Sequence, residues 1–83
     1  MNHVAILFHL REAKEELDHT IVELARDPDY NIGEFRVAMG HLYHHLNTAW
    51  NGRDTTAEAH RLSRQEDFDA WRKFPRDSDF LLD

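Results

Sequence analysis

The stretch 30–54 constrains the fold most, because it has the pattern of a single helix with a marked start and a marked end. Asn31 favours a helix start, since its side-chain oxygen can accept hydrogen bonds from the free amides of the first turn. Glu34, three residues further on, completes the spacing of a capping box. Gly52 can close the helix in a left-handed conformation. These signals predict a helix at about 32–51.

Large apolar side chains recur at spacings of three and four residues along this helix, and at heptad spacing along a second predicted helix at about 2–26. This spacing places them on one face of each helix, as in the core of a helical bundle. We therefore expect a buried core made of the following side chains, one of them from a third helix: Leu10, Leu17, Leu24, Met39, Leu42, Leu46 and Trp71.

A third helix is predicted at about 55–74, between a capping-box pattern at Thr55 and a stop at Pro75. A polar run interrupts its apolar pattern, so we expect a kink or a restart near 63–66. The chain 1–83 is thus predicted to be a single all-α domain, a small antiparallel three-helix bundle. Its irregular C-terminal tail, 75–83, carries apolar residues that should dock on this core or on the core of a neighbouring molecule: Phe80, Leu81 and Leu82.

The formal net charge of −6 disfavours nucleic acids and anionic membranes as partners. No apolar run approaches the roughly 20 residues that are needed to cross a bilayer. The amino-terminal segment lacks the basic leader and the cleavage site of a signal peptide, and the chain has no cysteine. We therefore expect a cytoplasmic protein that binds neither nucleic acid nor membranes.

The first turns of the first helix are apolar on nearly all sides. Val4 and Phe8 lie on the face opposite Ile6 and Leu10, by helical phase. A helix that is apolar all round needs cover on all sides, and a lone chain of this size does not readily supply it. We expect a homo-oligomer, with a dimer favoured, and place Val4 and Phe8 in or near its contact.

Three of the seven histidines form the pattern H-x-x-H-H at His41, His44 and His45. His41 and His45 are four residues apart, so their side chains could share a divalent transition metal. A metalloprotease helix would carry a carboxylate between its two ligands, and this stretch has none. The helix is loosely similar to small helical metal-dependent hydrolases of the four-helix type, but those are nearly twice as long. We expect no intrinsic metal and keep His41 and His45 as the alternative ligands.

Aromatic, amide and charged groups also cluster in the predicted turn between the second and third helices, around Trp50 and Arg53. Such a cluster can form a recognition patch, and packing of Trp50 against the end of the core is the alternative. We assign no catalytic residue, because no nucleophile with a base partner and no glycine-rich phosphate loop is present. The candidate binding residues are His41, His44, His45, Trp50 and Arg53.

These features favour a protein that acts by association, as a protein–protein association or adaptor module. Its partner would be a second copy of the chain or a different protein. The alternative function is a metal-binding protein, or a metal-dependent hydrolase-like enzyme that uses His41 and His45.

Overall fold

The computed structural model describes residues 1–80, which form two long helices followed by two short ones. The helices are α1 (His3–Arg26), α2 (Ile32–Asn51), α3 (Ala57–Leu62) and α4 (Gln65–Trp71), and a 3₁₀ turn covers Asp77–Asp79. Residues 1–80 contain no strand. The all-α prediction is therefore confirmed, whereas the three-helix bundle is not, because two short helices replace the third long helix. Leu81 and Leu82, which were expected to dock, lie outside the described residues.

Asn2 caps the start of α1 and also holds the turn between α2 and α3, which we call the second turn. Its side-chain oxygen accepts a hydrogen bond from the amide of Ala5, which caps the helix. Its side-chain amide donates to the carbonyl oxygen of Thr55 at 3.0 Å, and its backbone amide donates to that of Arg53 at 2.6 Å. One residue thus connects the chain start to the loop between α2 and α3.

Pro28 ends α1 and the chain turns back into α2, so the two long helices form an antiparallel hairpin. The turn is closed by the carboxylate of Asp27, which accepts from the amide of Asp29, and by the amide of Tyr30, which donates to the carbonyl oxygen of Asp27. Asn31 caps α2 as predicted, accepting from the amide of Glu34 at 3.1 Å.

The contact between α1 and α2 is made by small side chains. The most buried residues of the two helices are alanines, threonines and one asparagine: Ala5, Ala13, Thr20, Ala38, Asn47, Thr48 and Ala49. Small side chains let two helix axes approach closely, which leaves little room for larger side chains between them.

The predicted leucine core is wrong for four residues of the described chain. Leu10 and Leu17 are each 44% exposed, Leu24 is 52% exposed and Leu46 is 40% exposed. Met39, Leu42 and Trp71 are half-buried. The α1 leucines lie roughly 80° around the helix from the centre of the α1–α2 contact, so they flank that contact and are not covered by it.

The α4 helix docks on α2 through two asparagines of α2. The side-chain amide of Asn47 donates to the carbonyl oxygen of Arg72 at 3.2 Å. That of Asn51 donates to the carbonyl oxygens of Trp71 and Lys73. These carbonyls at the end of α4 have no partner within their own helix, so the two asparagines satisfy them.

The break in the third segment lies at Ser63, within the predicted stretch 63–66. Ser63 has a left-handed backbone (φ 48°) and ends α3, and α4 begins at Gln65. The start of α3 also differs, since Thr56 caps it in place of Thr55. None of the helices in residues 1–80 combines the length and the apolar character needed to cross a membrane.

Gly52 ends α2, but its backbone is not left-handed (φ −97°, ψ 14°), so the predicted reason for this glycine is wrong. A Cβ atom at this position would lie 2.9 Å from the carbonyl oxygen of Thr48 and 3.4 Å from Nε1 of Trp71. Gly52 is required by the close approach of its neighbours. Gly40, in the middle of α2, has nothing within 4 Å of such a Cβ.

We predict opposite effects for alanine at these two glycines. Gly52→Ala should lower the free energy of unfolding by about 1–3 kcal/mol, because the new methyl group overlaps backbone. Gly40→Ala should raise it by about 0.5–1 kcal/mol, because alanine favours the helix and nothing obstructs it. Urea denaturation of both variants measures the effects, and a stable Gly52→Ala variant would contradict the packing of Trp71 on the second turn.

Candidate functional site

Four imidazole rings and one phenyl ring form a row that crosses all four helices. His60 of α3 lies 5.7 Å from His9 of α1, and His9 lies 5.7 Å from His45 of α2, measured between ring centroids. The row continues from His45 to His44 at 5.3 Å and from His44 to Phe68 of α4 at 5.1 Å. We call the four histidines the histidine cluster.

The closest polar contact in the histidine cluster joins α1 to α2. The Nδ1 atoms of His9 and His45 lie 3.4 Å apart, so one ring can donate a long hydrogen bond to the other when only one of the two atoms carries a proton. Burial, followed by the charges of the three neighbouring imidazoles, lowers the pKa of His9 from its usual 6.5 to about 4. Burial and the nearby imidazoles also lower the pKa of His44. Burial thus favours the neutral form of His9 and of His44.

His41, one of the two alternative metal ligands, has a different partner from His45. Its Nδ1 atom lies 3.8 Å from a carboxylate oxygen of Glu16, whereas His45 contacts His9. Within residues 1–80, no three histidine, cysteine or carboxylate side chains converge closely enough to hold one metal ion. A structural zinc site needs four ligands and a catalytic one about three, so the described chain supplies no complete centre.

Trp50 and Arg53 form a stacked group at the second turn. The guanidinium of Arg53 lies 4.1 Å from the centre of the Trp50 ring and donates to the carbonyl oxygen of Trp50 at 2.7 Å. Phe80 of the tail packs against the same indole, with ring centroids 4.7 Å apart. The tail thus reaches the end of the hairpin, and Trp50 makes its main contacts within the chain.

Val4 and Phe8 lie on the side of α1 that faces α3. Phe8 meets the ring of His60 edge-on at 5.8 Å, and Val4 is 75% exposed. Both side chains retain open apolar surface, and a second apolar surface lies on the other flank of α1.

This second apolar surface runs along one side of the α1–α2 hairpin. Leu10 and Leu46 line one groove near the amino terminus, and Leu24 and Phe35 line another near the first turn. Leu17, seven residues from Leu10 and from Leu24, continues the line between the two grooves. We call this surface the leucine face and define it by Leu10, Leu17 and Leu24 of α1 with Phe35, Met39 and Leu46 of α2.

Comparison of the chain with protein-family models, with characterised proteins and with solved structures finds no match. Any functional conclusion therefore rests on the geometry of this molecule.

Sequence reasoning identified His44 and His45 but assigned no definite partner to His9 or His60. The signal for His9 was present, because His9 and His45 stand at comparable distances from the turn at Pro28 in an antiparallel hairpin. No comparable signal existed for His60, since the direction of a short helix after a turn does not follow from periodicity.

We predict that the protein loses stability as the pH falls from about 6.5 to about 4. The unfolded chain takes up a proton at His9 below pH 6.5, whereas the folded chain resists until about pH 4. Each proton bound only by the unfolded state lowers the free energy of unfolding by at most about 1.4 kcal/mol per pH unit. The actual slope should be smaller, because His9 is only partly buried and solvent screens the charge.

Urea denaturation midpoints measured across this range for two variants provide the check. His9→Gln should flatten the pH dependence between 6.5 and 4. His3→Gln, which removes an exposed histidine from the same helix, should leave it unchanged. Equal slopes in the wild type and His9→Gln would contradict the lowered pKa of His9.

Proposed function

We propose that the protein is an association module whose leucine face packs against the leucine face of a second copy. The single observation that carries the proposal is the exposure of the heptad leucines. Leu10, Leu17 and Leu24 have the pattern of a helix–helix core, yet all three are 44–52% exposed in the isolated chain. Monomeric proteins rarely leave a continuous apolar surface of this kind in water.

The core of the single chain is small, so a second copy would also add to the stability of the fold. No large side chain within residues 1–80 is less than 2% exposed, and the buried hydrophobic residues are all alanines. Domains of this size bury a limited fraction of their surface, and small folds often gain stability from oligomerisation or from a cross-link such as a disulfide. The chain has no cysteine, so no disulfide can supply that cross-link.

The leucine face has the dimensions of a dimer interface. The 20 residues of α2 span about 30 Å, and two packed helices are about 20 Å wide, so the face covers on the order of 600 Å² in projection. A standard interface buries about 800 Å² of accessible surface per partner, and accessible surface exceeds projected area because side chains protrude.

A second copy fits this face because the same surface can pair with itself. A two-fold axis perpendicular to the face would bring leucine against leucine and place four helices around one apolar core. The charged residues that give the chain its net charge of −6 lie mainly off this face, so the contact would not bury unpaired carboxylates. Without disulfides, such a dimer suits the reducing cytoplasm.

Two other functions have less support. An adaptor role would use the same face for a different protein, and no charge or shape feature of the face selects such a partner. The metal-dependent alternative uses His41 and His45 as ligands of a divalent transition metal. These two histidines contact different residues, Glu16 and His9, so a metal site would need further ligands that do not converge with them in the described chain.

We predict a dimer in solution that a single charge on the leucine face dissociates. Sedimentation at micromolar concentration should give a mass of about 20 kDa for the wild type, twice the 9.9 kDa of one chain. Leu17→Glu should shift the mass to that of one chain, because it would bury a carboxylate without a partner in the contact.

Val22→Glu is the matched control, since Val22 is 45% exposed against 44% for Leu17 but lies on the opposite flank of α1. It should remain dimeric. Phe8→Glu tests the contact that the sequence predicted at Val4 and Phe8. A dimer broken by Phe8→Glu but not by Leu17→Glu would move the contact to the amino-terminal turns, and a monomeric wild type would overturn the proposal.

A further inference from the structure

The side of the hairpin opposite the leucine face carries an open groove near the first turn. The α3 helix covers this side only at its other end, around the histidine cluster. The groove has a volume of about 440 Å³, within the usual range of small-ligand sites. It is lined by Glu16, His19, Thr20 and Glu23 of α1, Tyr30 of the turn, and Glu34, Val37, Ala38 and His41 of α2.

The groove is strongly acidic. Glu16, Glu23 and Glu34 supply three carboxylates, and no lysine or arginine lines the groove. Two carboxylates have a histidine neighbour, since Nε2 of His19 lies 2.9 Å from Glu23 and Nδ1 of His41 lies 3.8 Å from Glu16. A histidine compensates the charge of a carboxylate only when the imidazole is protonated.

Two hydroxyl groups among the lining residues lack hydrogen-bond partners. Thr20 is only 3% exposed, and its Oγ1 atom is buried without a partner. The hydroxyl of Tyr30 is also buried without a partner. Burial, followed by the carboxylates of Glu23, Glu34 and Glu16, raises the pKa of Tyr30 above its usual value. Buried hydroxyls are normally hydrogen-bonded, so two in one groove point to a missing polar group.

The acceptors in the groove are too dispersed for a single metal ion. Within the described chain no three carboxylate or histidine side chains converge on one point. A guanidinium group fits a dispersed set better, because it is planar, always charged and carries five N–H donors in fixed directions. Val37, Ala38 and the Tyr30 ring supply apolar walls for the carbon chain attached to such a group.

We propose that this groove binds an organic cation that carries a guanidinium group. The carboxylates of Glu16 and Glu23 hold its charge, and Thr20 and Tyr30, whose hydroxyls lack a partner within the chain, line the same groove. The guanidinium belongs either to a small molecule or to an arginine side chain of another protein.

Calorimetric titration with N-butylguanidinium at low ionic strength tests this proposal, with N-butylurea as the neutral ligand of the same shape. For a ligand of this size we expect a dissociation constant on the order of 0.1–1 mM. N-butylurea should bind at least about tenfold more weakly, because it lacks the charge. Amide chemical-shift changes in the wild-type protein should centre on Thr20, Tyr30 and Glu34.

A pair of double variants with the same charge change separates the groove from the general acidity of the chain. Glu16→Gln with Glu23→Gln should weaken binding about tenfold or more. Glu15→Gln with Asp18→Asn, two exposed positions of α1 outside the groove, should change it less than about twofold. Equal weakening in both variants, equal binding of N-butylurea, or shifts spread over the whole chain would overturn the proposal.

Two further titrations complete the test. Preferential binding of Mg²⁺ or Zn²⁺ at the same residues would overturn the proposal in favour of a metal site. The peptide acetyl-Gly-Arg-Gly-amide distinguishes the sources of the cation: tighter binding than N-butylguanidinium assigns the groove to an arginine of a partner protein, and weaker binding assigns it to a small molecule. Neither result depends on the oligomeric state that the leucine face sets.

Discussion

The close contact of small side chains between α1 and α2 determines where every larger apolar side chain of the hairpin lies. Ala5, Ala13 and Thr20 of α1 meet a matching set on α2, and all are almost completely buried. Helices in such close contact have no space for leucine between them, so the heptad leucines are displaced to the flank. The hairpin therefore has a thin interior and one apolar outer face.

The two sides of this hairpin have different chemistry. On one side, the leucine face runs the length of both helices and ends at the stack of Arg53, Trp50 and Phe80. On the other side, the histidine cluster fastens α3 and α4 to the open end, and carboxylates surround an uncovered groove near the turn. Self-association through one side leaves the other free to bind a ligand.

The helices of the hairpin could be predicted closely from the sequence because their ends depend on local chemistry. Asn31 caps α2 and Pro28 ends α1, and neither effect needs tertiary contacts. The break at Ser63 was also within reach, since a polar run there leaves little to stabilise a continuous helix. The docking of α4 could not be predicted, because it depends on the side chains of Asn47 and Asn51, which reach carbonyls 25 and 20 positions further along the chain.

The burial of the leucines could not be predicted correctly for a similar reason. Heptad spacing shows that these side chains share a face, but it does not show which neighbour covers that face. The alanines and threonines that form the actual α1–α2 contact give a weaker periodic signal than leucine. The histidine cluster and the groove likewise depend on the register between α1 and α2, which periodicity alone leaves open.

The most direct measurement of the central claim is the dependence of the thermal unfolding midpoint on protein concentration. If the leucine face is covered by a second copy, folding and association are coupled, and dilution favours the unfolded chain by mass action. A thousandfold increase in concentration, from about 1 μM to about 1 mM, should then raise the midpoint by about 10 °C, given an unfolding enthalpy of about 0.7 kcal/mol per residue. A midpoint that stays constant over this range would contradict the account, because it would show that the hairpin is stable with its leucines in water.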